Sequence, residues 1–279
     1  MQPGDARERE YHLSDRDFEQ IRGLVREHTG ISLSESKREL VYSRLARRLR
    51  GLRLGSFAEY IALLERGESV ELEEFANAIT TNLTSFFREA HHFEFLSGTV
   101  LPELARRNAA TRRLRIWSAG CSTGEEPYTL AITLQESMEL FRGWDVRILA
   151  TDLDSNVLAQ GQAGEYREDR FATMPAARRQ RWFTESRPGH FTAADGLKAL
   201  ITFRQLNLMQ PFPFKGPFDV IFCRNVVIYF DKPTQRTLFE RVAQLQRPGD
   251  HLFIGHSESL FKVSDSYQLI GKTIYRRLG

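Results

Sequence analysis

The sequence predicts a doubly wound α/β domain preceded by an all-α domain, and three observations carry that prediction. Leu114 to Tyr128 reads as strand, tight turn of small residues, then helix. Beyond it, strand-length apolar runs at Val146–Asp152, Leu200–Asn207, Phe218–Cys223 and His251–Gly255 alternate with helical segments. Roughly the first 82 residues show helical periodicity and no strand signal. At 279 residues and 41% hydrophobic content the chain can bury a core in one large domain or two modest ones.

The first ten residues are polar and are expected to be disordered. Ser14 then opens a helix as N-cap, with Asp17 as a capping-box variant. Phe18, Ile21, Leu24, Val25 and His28 mark one face of that helix, and Gly30 ends it. Ser34 or Ser36 opens a second helix running to Gly51, Ser56 with Glu59 caps a third that stops at Gly67, and 71–81 reads as a fourth. Tyr42, Leu45 and Leu49 of the second helix face the core. Lys37, Arg44 and Arg48, with Arg47 beside them, form a basic face that is either solvated or a docking surface for an acidic protein or nucleic acid.

The segment Thr80–Phe93 joins the helical part to the α/β part, so it can lie across a cleft between them. Asn82 and Thr84 offer short hydrogen-bonding side chains, and Arg88 a planar cation suited to a carboxylate. Phe86, Phe87 and Phe93 wall an adenine or simply pack. His91 and His92 read as helix surface or local packing, because no third ligand stands at a metal-binding spacing.

In the central turn, Gly120 and Gly124 allow backbone to approach a ligand closely. The spacing is not that of a dinucleotide-binding turn. Glu125 and Glu126 stand at the helix start, where a pyrophosphate needs N–H groups and no negative charge. The ligand should therefore carry hydroxyls and a positive group but no phosphate, and S-adenosylmethionine fits. Asp152, ending the second strand, is placed to take ribose hydroxyls; Asp154 competes with it but also opens a helix. From Gly164 to about Leu200 the chain is polar and irregular, which suggests an inserted subdomain at about 164–200. Helix 235–246, strand His251 to Gly255 and a hairpin from Tyr267 to Arg276 complete the domain.

Several function classes are excluded on residue grounds. The net charge of +3 is too small to imply nucleic acid by itself. No apolar run reaches the roughly 20 residues of a membrane span, the N-terminus is no signal peptide, and the two cysteines, Cys121 and Cys223, suit a reducing cytoplasm. The end of the fourth strand lacks the Asn-Pro-Pro-Tyr type motif of amino-group methylases, and Cys223 has no proline beside it, so a Pro-Cys nucleophile for cytosine is not supported. An acceptor that needs no strong base remains. A carboxylate, with an unperturbed pKa of roughly 4, is one.

Four stretches then resemble one family. Asn82-Leu-Thr-Ser-Phe-Phe-Arg88-Glu-Ala-His-His-Phe, Trp117-Ser-Ala-Gly-Cys-Ser-Thr-Gly-Glu-Glu-Pro-Tyr128, Phe222-Cys-Arg-Asn-Val-Val-Ile-Tyr-Phe-Asp231 and Gly255-His-Ser-Glu258 together are similar to the chemotaxis receptor methyltransferases, the CheR family. The resemblance implies a Rossmann-like class I methyltransferase domain over 96–279, a linker over 83–95 that contributes to the cofactor cleft, a receptor-docking helical domain over 1–82 and a small inserted β-subdomain. It implies methyl transfer from S-adenosylmethionine to glutamate carboxylates of cytoplasmic chemoreceptor domains, giving methyl esters and S-adenosylhomocysteine.

By the same resemblance Asn82, Thr84 and Arg88 line the cofactor cleft and Glu126, in preference to Glu125, is the cofactor-binding acid beside Gly120. Asp152 takes the ribose, Asn207 and Leu208 flank the adenine, and Arg224 and Asn225 close the site. Arg88 and Tyr229 are assigned to orienting the acceptor carboxylate and the methyl. The basic helix, through Lys37, Arg44, Arg47 and Arg48, meets the receptor. The run from Phe183 to Asn207 looks short and lacks a clear strand pattern for the subdomain that grips a receptor tethering peptide in some members. A cytoplasmic monomer without metal, nucleic acid or membrane insertion is expected. The competing readings are a catalytically silent adaptor that still binds the cofactor, and an RNA methylase using the basic helix as a phosphate rail.

Overall fold

A computed structural model describes residues 10–279; the expectation of disorder before Glu10 lies outside the described residues. The chain divides between Thr81 and Asn82 into two compact units. The segment read as a linker, 83–95, belongs to the second.

The first unit is helical: α1 (Asp15–Thr29), α2 (Arg38–Leu52), α3 (Phe57–Glu65) and α4 (Ser69–Ile79). Ser14 caps α1 with a complete capping box to Asp17, and Gly30, at φ 75°, ends it in the left-handed region that glycine tolerates. A short 3-10 turn, Glu35–Lys37, precedes α2, so neither Ser34 nor Ser36 is the α-helical start. Nor does Gly51 stop α2. The helix runs through it to Leu52, and Arg53 at φ 57° closes it by donating to Arg50 O and Leu49 O. Phe18, Ile21, Val25, Leu45, Leu49, Phe57, Tyr60 and Phe75 are buried together as this unit's core.

The second unit begins with α5 (His91–Phe95) and α6 (Leu101–Arg107) and then alternates strands and helices. Its strands are β1 (Arg113–Ala119), β2 (Asp145–Asp152), β3 (Glu165–Arg167), β4 (Phe183–Arg187), β5 (His190–Ala193), β6 (Ile201–Gln205), β7 (Val220–Cys223), β8 (His251–Ile254), β9 (Tyr267–Gly271) and β10 (Ile274–Arg277). Among the described residues one sheet has the order β6-β2-β1-β7-β8-β10-β9. Its first five strands are parallel, while β10 and β9 are antiparallel and close the edge. The parallel strands read as unbroken apolar runs because both faces are covered; all four residues of β7 and of β8 are buried.

The helices between are α7 (Glu125–Glu136), α8 (Ser155–Ala163), α9 (Ala176–Trp182), α10 (Asp195–Lys198) and α11 (Lys232–Ala243). The strand order reverses at β1, whose neighbours are β2 and β7, so the carboxyl ends of these strands form the crevice in which such sheets bind ligands. Among the described residues no helix is long and apolar enough to cross a membrane.

Two expectations need correction. Helix 235–246 starts three residues earlier, because Asp231 accepts from Thr234 N as N-cap and Pro233 sits in the first turn. The stretch from Phe183, read as lacking a strand pattern, forms an antiparallel sheet β3-β5-β4 with the segment before it. In β4 only Phe183 is buried, so alternation of apolar and polar residues gives no signal there.

Candidate active site

The site is built at the carboxyl ends of β1, β2 and β7. After β1 the chain turns through Gly120, at φ 79°, where an added Cβ would lie 2.3 Å from Val226 Cγ2. Gly120 N and Cys121 N both donate to Thr151 O of β2, at 2.8 and 2.9 Å. The turn's amides are therefore spent on the neighbouring strand rather than turned toward a phosphate. Gly124, at φ 97°, starts α7 and brings Glu125 and Glu126 into its first turn.

The two acids have different surroundings. Glu125 is fully buried and accepts from Thr123 Oγ1 at 2.5 Å and from Arg170 Nε at 2.8 Å, with Arg170 Nη2 on the same oxygen. Glu126 accepts from Ser118 Oγ at 2.7 Å and faces Arg224 Nη1 at 3.3 Å. Burial pushes the Glu126 carboxyl above its usual range even though Arg224 and Ser118 act in the opposite direction. Its carboxylate faces Arg224 without a short hydrogen bond to it. Glu125 is already committed.

A similar division separates Asp152 from Asp154. Asp154 is buried and caps α8, accepting from Asn156 N at 2.9 Å, while its other oxygen takes Asn82 Nδ2 at 2.7 Å. Asp152, half-buried at the end of β2, accepts from Ser122 N at 2.8 Å and Asp154 N at 3.1 Å, and burial raises its carboxyl too. The competing helix-cap role thus falls to Asp154. Asn82 is tied to the same loops, since its carbonyl accepts from Ser122 Oγ at 3.2 Å.

The loop after β7 supplies the third wall. Arg224 is buried, with its guanidinium 3.3 Å from Glu126, 3.5 Å from Glu89 Oε1, and donating to the Arg88 carbonyl. Asn225, at φ 58°, accepts from Arg88 Nη2 at 3.0 Å and donates to Glu89 at 3.2 Å. Arg88 also donates to Leu83 O at 2.7 Å. Arg88, Glu126, Arg224 and Asn225 are thereby brought into one network. Thr84 is half-buried, and its carbonyl accepts from Arg170. Tyr229 is half-buried at the end of a 3-10 turn (Val227–Tyr229) in the same loop. Asn207, just past β6, accepts from Met209 N, and the carbonyl of the buried Leu208 accepts from Arg241.

Three residues escaped the sequence reading. Glu89, at φ 58°, joins Arg224, Asn225 and His256; burial pushes its carboxyl upward, but Arg224 and its hydrogen bonds outweigh that and hold it at about 2. Arg170, from the polar insertion, holds Glu125. Glu258 gathers the backbone N–H groups of Gly255, Asn225, Val226, Val227 and Ile228, which shapes the whole loop after β7. Glu89 and Glu258 left a trace, inside the Asn82–Phe93 and Gly255–Glu258 stretches; Arg170 left none.

On the helical unit, Lys37 and Arg47 are exposed. Arg44 instead donates to Ile79 O, Thr80 O and Thr81 Oγ1 beyond the C-terminus of α4. Arg48 makes a bidentate pair with the buried Glu71, at 2.8 and 2.6 Å, and Tyr60 donates to the same acid. The basic face therefore contains two cations that hold helices together.

Comparison with known proteins bears on the whole chain. Residues 16–80 match the family model described as the CheR methyltransferase all-alpha domain, and residues 82–276 match the CheR methyltransferase SAM binding domain. The chain is 49% identical over 271 residues to chemotaxis protein methyltransferase 2 of Pseudomonas aeruginosa, covering 95% of this chain and 94% of that protein. It is 46% identical over 258 residues to a probable chemotaxis protein methyltransferase of Rhizobium etli, covering 91% and 96%. Identity to the chemotaxis protein methyltransferase of Escherichia coli is 41% over 269 residues, covering 94% and 91%.

Proposed function

The chain belongs to the CheR methyltransferase family, and from that premise we propose that it methylates glutamate side-chain carboxylates on the cytoplasmic part of chemoreceptors. Methyl transfer from S-adenosylmethionine in chemotaxis is the family's activity, and it is this chain's. The observation that supports the residue assignment is the contrast between Glu126 and Glu125. Glu126 faces Arg224 without a short hydrogen bond to it, beside a turn whose Gly120 and Cys121 amides are spent, whereas Glu125 is held by Arg170 and Thr123.

When bound, S-adenosylmethionine supplies an electrophilic methyl group on a sulfonium. Glu126 is the partner for its ammonium group, Asp152 for the ribose hydroxyls, and Asn207 with Leu208 flank the adenine. Gly120 lets Val226 of the loop after β7 pack directly against the turn, since a Cβ there would meet it. Asn82 and Thr84 border the same site. Arg224 and Asn225 close it, and Arg224 keeps Glu126 from being the only charge in a dry place.

Arg88, held by Leu83 O and Asn225 Oδ1, has its guanidinium fixed before a substrate arrives. With Tyr229 it orients the acceptor carboxylate. A glutamate is already ionised at neutral pH, so it would meet the methyl group that the cofactor supplies as a ready nucleophile, and no side chain has to remove a proton. Anion and cation become neutral products. Positioning and exclusion of water supply the rate.

Lys37 and Arg47 are the exposed cations placed to meet an acidic receptor helix, while Arg44 and Arg48 keep the helical unit in shape. The adaptor reading is not favoured. The protein acts in the cytoplasm, where receptor glutamates are reached. The test is transfer of labelled methyl from S-adenosylmethionine to a receptor cytoplasmic fragment. Label that leaves as methanol in mild alkali identifies a glutamate ester; label that resists alkali refutes the acceptor class.

A further inference from the structure

We propose that Glu89, His91 and His92 form a binding site for a divalent transition-metal ion of the zinc class. Each of the three offers one ligand atom, and these atoms lie within 4.8 Å of one another. Glu89 Oε2 and His92 Nδ1 are 3.6 Å apart on side chains only 10% and 0% exposed, and neither atom has a hydrogen-bond partner in the protein. Two buried, unpartnered atoms facing each other are costly unless something joins them. At 3.6 Å a direct N–H···O bond is too long.

The ring orientations favour a cation between them. His92 Nε2 lies 3.2 Å from Lys272 O, and His91 Nε2 lies 3.4 Å from the same carbonyl. His92 Nε2 also lies 3.0 Å from Thr273 Oγ1, whose hydroxyl donates to Lys272 O; the tautomer in which Nε2 donates to these oxygens leaves the His92 Nδ1 lone pair toward Glu89. Metal-bound histidines are held in this way, with the distal N–H on a carbonyl. An ion roughly 2.0–2.1 Å from both Glu89 Oε2 and His92 Nδ1 would subtend an angle of about 120° at their separation, within the range of a tetrahedral site. His91, half-buried, offers the third ligand atom within the same 4.8 Å. Two imidazoles and one carboxylate select zinc, cobalt or nickel over the oxygen-seeking magnesium and calcium.

The other oxygen of Glu89 already accepts from Asn225 and His256 and faces Arg224 at 3.5 Å. These contacts anchor the carboxylate, but Arg224 and a dication compete for it. Zinc therefore loosens the hold of Glu89 on Arg224 and Asn225 and weakens cofactor binding. That consequence rests on the functional reading of those two residues; the metal site does not.

Calorimetric titration of the chelator-treated full chain with zinc tests the site directly. One saturable equivalent is expected for the native chain. In His91→Gln, a change at a half-buried position, loss of a ligand should cost more than the roughly 10–100-fold that outer-shell partners cost. Glu89→Gln and His92→Asn should lose the same equivalent, and magnesium should give no saturable heat. Absence of a saturable zinc equivalent overturns the proposal, as does an equivalent unchanged in His91→Gln and His92→Asn, which is an adventitious ion only. Repeating the S-adenosylhomocysteine titration with zinc present separates the two claims: unchanged cofactor affinity with zinc bound refutes the coupling and leaves the metal site standing.

Discussion

Replacing Glu258 by Gln probes how the loop after β7 is held. The Glu258 carboxylate is 6% exposed. Its Oε1 accepts from Val226 N and Val227 N at 2.9 Å and from Ile228 N at 3.2 Å, and its Oε2 from Gly255 N at 2.6 Å and Asn225 N at 2.9 Å. Glutamine has the same shape but one oxygen. Keeping that oxygen on the three donors turns its NH2 toward the N–H groups of Gly255 and Asn225. Two buried donors lose their acceptor, at about 1–3 kcal/mol each, so the native state should lose roughly 2–6 kcal/mol.

That is a large share of the 5–15 kcal/mol typical of a domain, yet within it, so a folded protein is expected. All three tryptophans, Trp117, Trp144 and Trp182, lie in the second unit, so fluorescence-monitored urea unfolding reports on the unit that carries the change. Calorimetry should also show S-adenosylhomocysteine binding weakened about tenfold or more, because Asn225 and Arg224 lose their fixed backbone. Loss of stability below about 1 kcal/mol with unchanged affinity would refute the claim that Glu258 shapes this loop.

Other perturbations separate roles within the site and the helical unit. Glu126→Gln should weaken cofactor binding by roughly 1.5–3 kcal/mol, the worth of a hydrogen bond to a charged group, whereas Glu125→Gln should mainly lower the melting temperature through Arg170; equal effects on affinity would contradict the assignment. Arg48→Ala should destabilise by about 3 kcal/mol because Glu71 stays buried without its cation, and Arg47→Glu should leave unfolding unchanged while raising KM for a receptor fragment. His251 is fully buried with neither ring nitrogen partnered, and burial, with Arg276 and Arg107, depresses it to about 4. Its folded pKa lies below the unfolded value, so the stability it leaves intact above pH 6.5 is lost as pH falls toward 4, up to about 3 kcal/mol. Asp250, raised to about 6 by burial, works in the opposite sense between about pH 6 and 4. His251→Leu should therefore melt higher than the native chain at pH 5, by a wider margin than at pH 7.5; equal margins would count against it.

How far the sequence revealed this site follows from the range of the interactions. Features set by local chemistry were legible: the Ser14 capping box, the apolar parallel strands, the small-residue turn at Gly120 and the acid ending β2. The four CheR-like stretches also flagged Arg88, Glu126 and Asn225, which the structure joins in one network. Partnerships between distant segments were not legible. Arg170 reaches Glu125 across 45 positions and Glu258 reaches Asn225 across 33, and no periodicity marks either. The basic face of α2 was legible only in part for the same reason, because helical spacing shows which side a cation takes but not that Arg48 meets Glu71 there. The inserted β-subdomain was expected only through the resemblance, because its strands are three to five residues long and β4 is exposed beyond Phe183, so they carry no pattern of their own.

The central claim is that this site delivers a methyl group to an acceptor that needs no deprotonation. The pH dependence of kcat on a receptor fragment between pH 7 and 9 tests it most directly. A carboxylate acceptor predicts a flat profile, because the glutamate is ionised throughout and no side chain acts as base. A rate rising about tenfold per pH unit would mean that the acceptor must first lose a proton, and would contradict the account.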